Sequence, residues 1–241
     1  MCFFSILTLF MRTLVIGDIH GCYFALRTLE KAMQFTDEDH VILLGDLMDR
    51  GPSTRQVIDW VIKRRTRNAR LTYLRGNHEW IMLWAREDPL WTKKWTDDYV
   101  GGHETLRSYS EGCQPAKLTD VPDEHWDIIE NGSNSWFEDE RFIYVHAHVD
   151  HALPMDQQGP DQLFWERFKS QPLHVSGKQI ICGHTSMKNG EPKLKPHGIC
   201  IDTYAHGGGW LTCLNVDTMS CYQANEKGEF RRMELEIVMN E

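Results

Sequence analysis

Apolar residues fall into two rhythms along this chain. Short unbroken runs, Leu14 to Ile16 and Val41 to Leu44, each end on a glycine and read as strands. After the first run Cys22, Leu26, Leu29 and Met33 recur at helical spacing, and after the second Val57, Ile58, Val61 and Ile62 do the same. Ser53 with Gln56 forms a capping box that is expected to open the second helix. The pattern predicts alternating strands and helices through about Glu87. From about Trp80 to Trp136 it turns irregular and rich in tryptophan (Trp80, Trp84, Trp91, Trp95, Trp126 and Trp136). That stretch predicts a helical insert whose indoles form a satellite core under a lid, with direct stacking on a substrate as the alternative. Strands are expected again from Phe142, Gln179, Ile199, Leu211 and Met219, and a last one near Met233 to Val238.

Polar chemistry is concentrated where the first strands end. GDIHG runs from Gly17 to Gly21, GDLMDRG from Gly45 to Gly51 and GNHE from Gly76 to Glu79. A glycine lets the backbone turn sharply, so the aspartate or asparagine after it projects from the carboxyl edge of the strand. Asp18 and His20 sit two apart and could face one ion, Asp46 could bridge two, and Asn77 offers a neutral oxygen beside His78. Two further strands, ending in VHA and GHT, bring His146 and His184. A lone histidine at a strand end is ordinarily a polar cap. Here the earlier motifs are short of nitrogen ligands for a second cation, and both imidazoles are expected to ligate. Carboxylates, an amide oxygen and neutral imidazoles, with positions left open, make the ligand set of a two-metal hydrolase.

The ordered set GDIHG, GDLMDRG, GNHE, VHA and GHT resembles the phosphoprotein phosphatase family of the calcineurin-like metallophosphoesterases. The match runs from Arg12 to about Asp217, and the segment GGHETLRSY resembles its bacterial and phage branch. The resemblance implies an α/β fold of two mixed β-sheets packed as a sandwich and flanked by helices, with the insert over the site. It implies that Asp18, His20 and Asp46 hold one metal, and that Asp46, Asn77, His146 and His184 hold the other. His78 would be the general acid, oriented by Asp49. Arg50 and Arg167, the latter from LFWERF, would clamp the phosphoryl oxygens together with Asn77. A hydroxide between the two cations would attack phosphorus directly and in line. Manganese is the expected metal, and iron or zinc would suit the same ligands. The implied partner is a phosphoserine or phosphothreonine protein or peptide, with phosphotyrosine a further option. The alternative enzyme is a dinucleoside polyphosphate or other nucleotide hydrolase, although the symmetrical tetraphosphatases typically carry Gln where this chain has His20. A non-catalytic phospho-binding regulator is the third reading, and it would be expected to have lost the acid or a ligand. Two departures bear on substrate choice: VHAH replaces the common VHAG, placing His148, and IDTY replaces IDTG, placing Tyr204 before Gly207 to Gly209.

Composition narrows the picture. A chain of 241 residues, 41% hydrophobic, can bury one substantial core, so residues 11–241 are expected to form a single domain. A net charge of −9 argues against nucleic acid as a bulk partner. Seven cysteines without a CxxC pair point to reduced thiols in a cytoplasmic protein. Cys22 is expected to pack, its oxidation being the alternative. The apolar residues 1–10 are too few to span a bilayer and read as an extension ahead of the family-like start, with a membrane-touching segment the alternative; no stable membrane association is expected. The basic run from Lys63 to Arg70 is expected to be a solvated helix end. His103, His148, His174 and His206 are expected to support or flank the site without ligating a metal. Oligomeric state is left open.

Overall fold

A computed structural model describes residues 11–67, 69–114 and 116–235. The first half alternates as predicted: β1 (Thr13–Ile16), α1 (Tyr23–Met33), β2 (His40–Leu43), α2 (Thr54–Thr66), β3 (Leu71–Tyr73) and α3 (Asn77–Glu87). Three more helices follow, α4 (Pro89–Trp95), α5 (Gly102–Tyr109) and α6 (Asp123–Asn131). The second half carries β4 (Trp136–Glu138), β5 (Phe142–Val145), α7 (Pro160–Phe164), β6 (Gln179–Cys182), β7 (Lys193–Lys195), β8 (Gly198–Cys200), β9 (Leu211–Asn215), β10 (Ser220–Ala224) and β11 (Phe230–Glu234).

Two mixed sheets result, ordered β11-β10-β9-β1-β2-β3 and β4-β5-β6-β8-β7. β1 to β3 are parallel, whereas β9 to β11 are antiparallel. The period-2 alternation of strand side chains sorts the core into three layers. Leu14, Ile16, Val41 and Leu43 face α1 and α2. Val15, Ile42 and Leu44 face Tyr144, Ile181 and Ile199 of the other sheet. Ile143, Val145, Ile180 and Cys182 face Leu163 and Phe164 of α7. Strands this apolar therefore have both faces covered. The chemistry is left to the loops beyond their carboxyl ends.

Some expectations need correction. Ser53 is the N-cap of α2, but its side chain makes no cap hydrogen bond; its N–H donates to the Gly21 carbonyl instead, tying the helix to the first motif. Among the described residues the last strand begins at Phe230, before Met233, and the part of the expected strand from 236 to 238 lies outside them. A turn in which Asn225 Oδ1 accepts the N–H groups of Lys227 and Glu229 sets a hairpin register with Phe230 opposite Ala224. Residues 236–241, like 1–10, lie outside the described residues. The three-residue strands β4 and β7 carry too little periodicity to be read in advance. Cys22 packs in the core, where burial pushes its thiol pKa up and away from reactivity. The basic run falls at the end of α2, where Arg64 donates to the Thr36 carbonyl. Among the described residues no helix is long and apolar enough to cross a membrane.

One ion pair ties the start of β1 to the loop before β2. Arg12 meets both carboxylate oxygens of Asp39 at 2.7 Å, and Asp39 also accepts the Thr36 N–H. Burial alone would raise the Asp39 pKa, but the Arg12 and Thr36 bonds outweigh it and hold it below the ordinary aspartate value. A depressed carboxyl pKa adds stability above the unfolded-state value, and this is lost as pH falls through the folded value. Asp39→Asn should cost about 1–2 kcal/mol at neutral pH. In chemical denaturation across pH the gap to wild type should close below about pH 4, the unfolded aspartate range.

Candidate metal centre

The motif loops converge at the carboxyl ends of β1, β2, β5 and β6 and at the start of α3. The backbone there is unusual: His20, Asp46, Asp49, Arg50 and His184 all have φ between 46° and 69°. Non-glycine residues in this left-handed region cost about 1–2 kcal/mol each, and such strain gathers at functional sites. Here it turns each side chain inward. Gly76, which caps α3, is held to hydrogen by contact: a Cβ there would lie 2.1 Å from Asp46 Oδ1.

Three backbone carbonyls fix the histidine tautomers. His20 Nδ1 lies 2.8 Å from the Met48 carbonyl, His146 Nδ1 2.8 Å from that of Leu44, and His184 Nε2 3.1 Å from that of Trp165. Carbonyls only accept, so these nitrogens carry the proton and the opposite ones present lone pairs. Burial lowers all three pKa values, that of His184 to about 4, with the neighbouring His146 adding to the shift. The lone pairs then face oxygen atoms. His20 Nε2 is 3.5 Å from Asp46 Oδ2, and His146 Nε2 is 3.5 Å from Asp46 Oδ1. Asn77 Oδ1 stands 3.0 Å from both His146 Nε2 and His184 Nδ1. His20 Nε2 also accepts a hydrogen bond from Arg50 Nη1 at 3.1 Å, but at His146 and His184 acceptors are aimed at acceptors and each ring is held from behind by a carbonyl, the arrangement of metal ligands and not of a hydrogen-bonded network. The residues therefore fit divalent cations. His20, Asp46 and His78 place ligand atoms within 4.8 Å of one another, as do Asp46, His146 and His184, so Asp46 belongs to both groups.

Asp18, read as a ligand of the first ion, lies outside both tight groups. Its carboxylate accepts the His184 N–H at 3.1 and 3.0 Å, linking the first motif to the GHT loop. Burial, together with the charges of Asp202 and Asp46, raises its pKa well above the ordinary value. His78 Nδ1 is 2.7 Å from Asp49 Oδ2, and its Nε2 is 4.0 Å from Asp46 Oδ2. Burial opposes its charge, but Asp46 and the bond to Asp49 outweigh that and raise its pKa. Arg50 and Arg167 line the cleft above, which has a volume of about 840 Å³.

Two supports were not read from the sequence. Glu79, the last residue of GNHE, is fully buried and accepts the N–H groups of Gly76, Asp46 and Leu47 at 2.7, 3.0 and 2.8 Å. One carboxylate thus binds the second loop to the third, and burial beside the Asp46 charge raises its pKa to about 7. Asp49 accepts from Trp95 Nε1 at 3.0 Å and from Thr105 Oγ1 at 2.7 Å. Trp95 and Thr105 come from α4 and α5, so the insert braces Asp49 and, through it, His78. Among the extra histidines, His206 lies edge-on to His20 at 4.7 Å, and His148 packs on Phe168. His174 bonds the Leu153 carbonyl and Ser176, and His103 sits beside Asp98 and Glu104. None of the four is in either metal group.

Strand-end loops that focus two cation sites on one shared carboxylate, beneath a cleft lined by arginines, define a metal-dependent phosphoester hydrolase. The chain belongs to the Calcineurin-like phosphoesterase family, whose model matches residues 11–208. It is similar to the asymmetrical bis(5'-nucleosyl)-tetraphosphatase PrpE of Anoxybacillus flavithermus, at 40% identity over 85% of this chain and 90% of that one. It is also similar to serine/threonine-protein phosphatase 1 of Salmonella typhimurium, at 36% identity over 84% of this chain and 90% of that one. The fold is shared with a cold-active protein-tyrosine phosphatase of Shewanella, with a TM-score of 0.62 and 16% identity over 93% of this chain and 80% of that one.

Asp46→Asn should weaken both cations together, and metal analysis after dialysis should find neither retained at full occupancy. Glu79→Gln, which puts an amide where three N–H groups need an acceptor, should lower metal affinity by about 10- to 100-fold, read by titration calorimetry.

Proposed function

We propose that this phosphoesterase is a phosphomonoester hydrolase that dephosphorylates phosphoserine and phosphothreonine side chains of proteins. The observation that carries this reading is the His78–Asp49 pair, buried and braced by Trp95 and Thr105 at the floor of an open cleft. A seryl or threonyl alkoxide is a poor leaving group and needs a proton as the P–O bond breaks. A phosphoanhydride leaves as a stabilised phosphate and needs that acid far less.

In this reading His78 gives its Nε2 proton to the leaving oxygen, while Asp49 holds Nδ1–H and keeps the ring turned into the cleft. Arg50 and Arg167 grip the phosphoryl oxygens with their planar forks, joined by the Asn77 amide. Asp18, His20, Asp46, Asn77, His146 and His184 are the proposed ligands of the two cations, with Asp46 between them. When bound, the cations activate a water for direct in-line attack and neutralise charge on the phosphoryl oxygens. Manganese is proposed, since the mixed carboxylate, amide and imidazole set suits it; iron or zinc would also fit. A reducing, cytoplasmic setting is proposed with it, supported by six unpaired cysteines among the described residues, of which five are buried.

Nucleotide hydrolysis is the second reading. It is favoured by the similarity to the PrpE tetraphosphatase and by Trp165, an indole 37% exposed at the cleft wall that could stack on a base. A side-by-side assay of the metal-loaded protein on phosphopeptides, diadenosine tetraphosphate and a phosphodiester ranks the readings. Phosphopeptides should come first by kcat/KM, and a leading rate on the tetraphosphate would reverse the proposal. His78→Asn should keep its metals yet lose about 10²- to 10⁴-fold in kcat on alkyl phosphates and much less on p-nitrophenyl phosphate. Equal losses on both would remove His78 from the acid's role.

A further inference from the structure

The cleft carries one cation more than a single phosphoryl group requires. Arg50, Arg167 and Lys188 all line it, and among the described residues none of the three is in an ion pair with a carboxylate. Lys188 is exposed and stands on the wall formed by Tyr204 and His206, its Nζ 5.5 Å from the Tyr204 ring centroid. Ser186 and Lys188 also line a second cavity of about 470 Å³, where Lys193 and Glu191 are the other charged side chains. The two cavities therefore meet at Lys188. Asp98, its side chain fully exposed, also lines the cleft.

The position of Lys188 is built into the fold. Asp202, 1% exposed, accepts the Ser186 hydroxyl at 2.6 Å and the Tyr204 N–H at 3.0 Å, and its carbonyl accepts the Met187 N–H at 2.8 Å. One buried residue so fastens the segment before Lys188 to the loop that carries Tyr204. Tyr204 has φ of 64°, and its ring fills the space that a side chain at position 207 would take: a Cβ on Gly207 would lie 1.9 Å from a ring carbon. The tyrosine after IDT and the glycine three residues on are therefore one device, which sets an aromatic face under the ammonium.

We infer that Lys188 is a specificity-determining residue that selects phosphopeptides with an acidic side chain next to the phosphorylated residue, the carboxylate pairing with the ammonium where the two cavities join. This rests on the phosphoprotein reading above. A single exposed pair of this kind is worth about two- to fivefold in kcat/KM, fading as salt screens it.

The test uses the metal-loaded protein and two phosphothreonine peptides that differ only in Glu or Lys at the flanking positions. Each is measured both as a substrate and as a competitor of p-nitrophenyl phosphate turnover. Wild type should prefer the Glu peptide at low salt, and Lys188→Glu should invert the order while leaving kcat on p-nitrophenyl phosphate unchanged. Peptides that compete with this preference but are not cleaved would support the site and remove the phosphoprotein reading. Cleavage with no preference, or the same preference in Lys188→Glu, overturns the inference while that reading stands. Peptides that neither compete nor react overturn both. If inorganic tripolyphosphate competes strongly and only wild type responds, without any preference between peptides, Lys188 serves a polyphosphate chain and the inference is likewise overturned.

Discussion

The imidazole nitrogens of His146 and His184 point their lone pairs at the oxygens of Asp46 and Asn77 across 3.0–3.5 Å, and electron-rich atoms at that range repel unless positive charge lies between them; at His20 the Arg50 guanidinium donates to Nε2 at 3.1 Å. The carbonyls of Met48, Leu44 and Trp165 hold the three rings from behind, so the rings cannot relieve the repulsion by changing tautomer. This conflict makes the site a cation trap. Burial strengthens it, because the buried carboxylates around Asp46 raise the negative potential there and little water is present to screen it.

The rest of the architecture keeps that arrangement from relaxing. Strands covered on both faces fix where the loops begin, and their left-handed residues turn the ligands inward at a cost the sandwich core must offset. Glu79 joins the second and third loops through three backbone N–H groups, and Asp18 joins the first loop to His184. The insert contributes in the same way, since Trp95 and Thr105 close the hydrogen-bonding of Asp49 and so fix His78. Family membership makes the chain a phosphoesterase, and the two relatives are similar over 84–85% of it. The walls of the cleft, where Lys188, Tyr204 and Trp165 stand, are where one substrate class would be told from another.

Much of this was legible in the sequence because the ligands obey a local rule: an apolar run, a glycine, then a polar residue. That rule picks out Asp18, Asp46, Asn77 and His184, while His146 follows its apolar strand with no glycine between; helix-linked strands followed by meander-like ones, together with the family resemblance, anticipated the sandwich. It could not find the braces. Glu79 acts on residues 32 and 33 positions away, Trp95 on one 46 away and Thr105 on one 56 away, so their partners exist only in the folded chain. The start of the final described strand was misplaced for a related reason: its residues alternate between exposed and half-buried, and the Asn225 turn sets its register more than hydrophobicity does. Asp18 was legible as a site residue, yet its contact with the His184 backbone was not.

The most direct test of the cation trap is anomalous diffraction from crystals grown with manganese. The account predicts two peaks about 3.5–4 Å apart on either side of the Asp46 carboxylate, one toward His20 and the other among Asn77, His146 and His184. A single peak, or peaks away from Asp46, would contradict it.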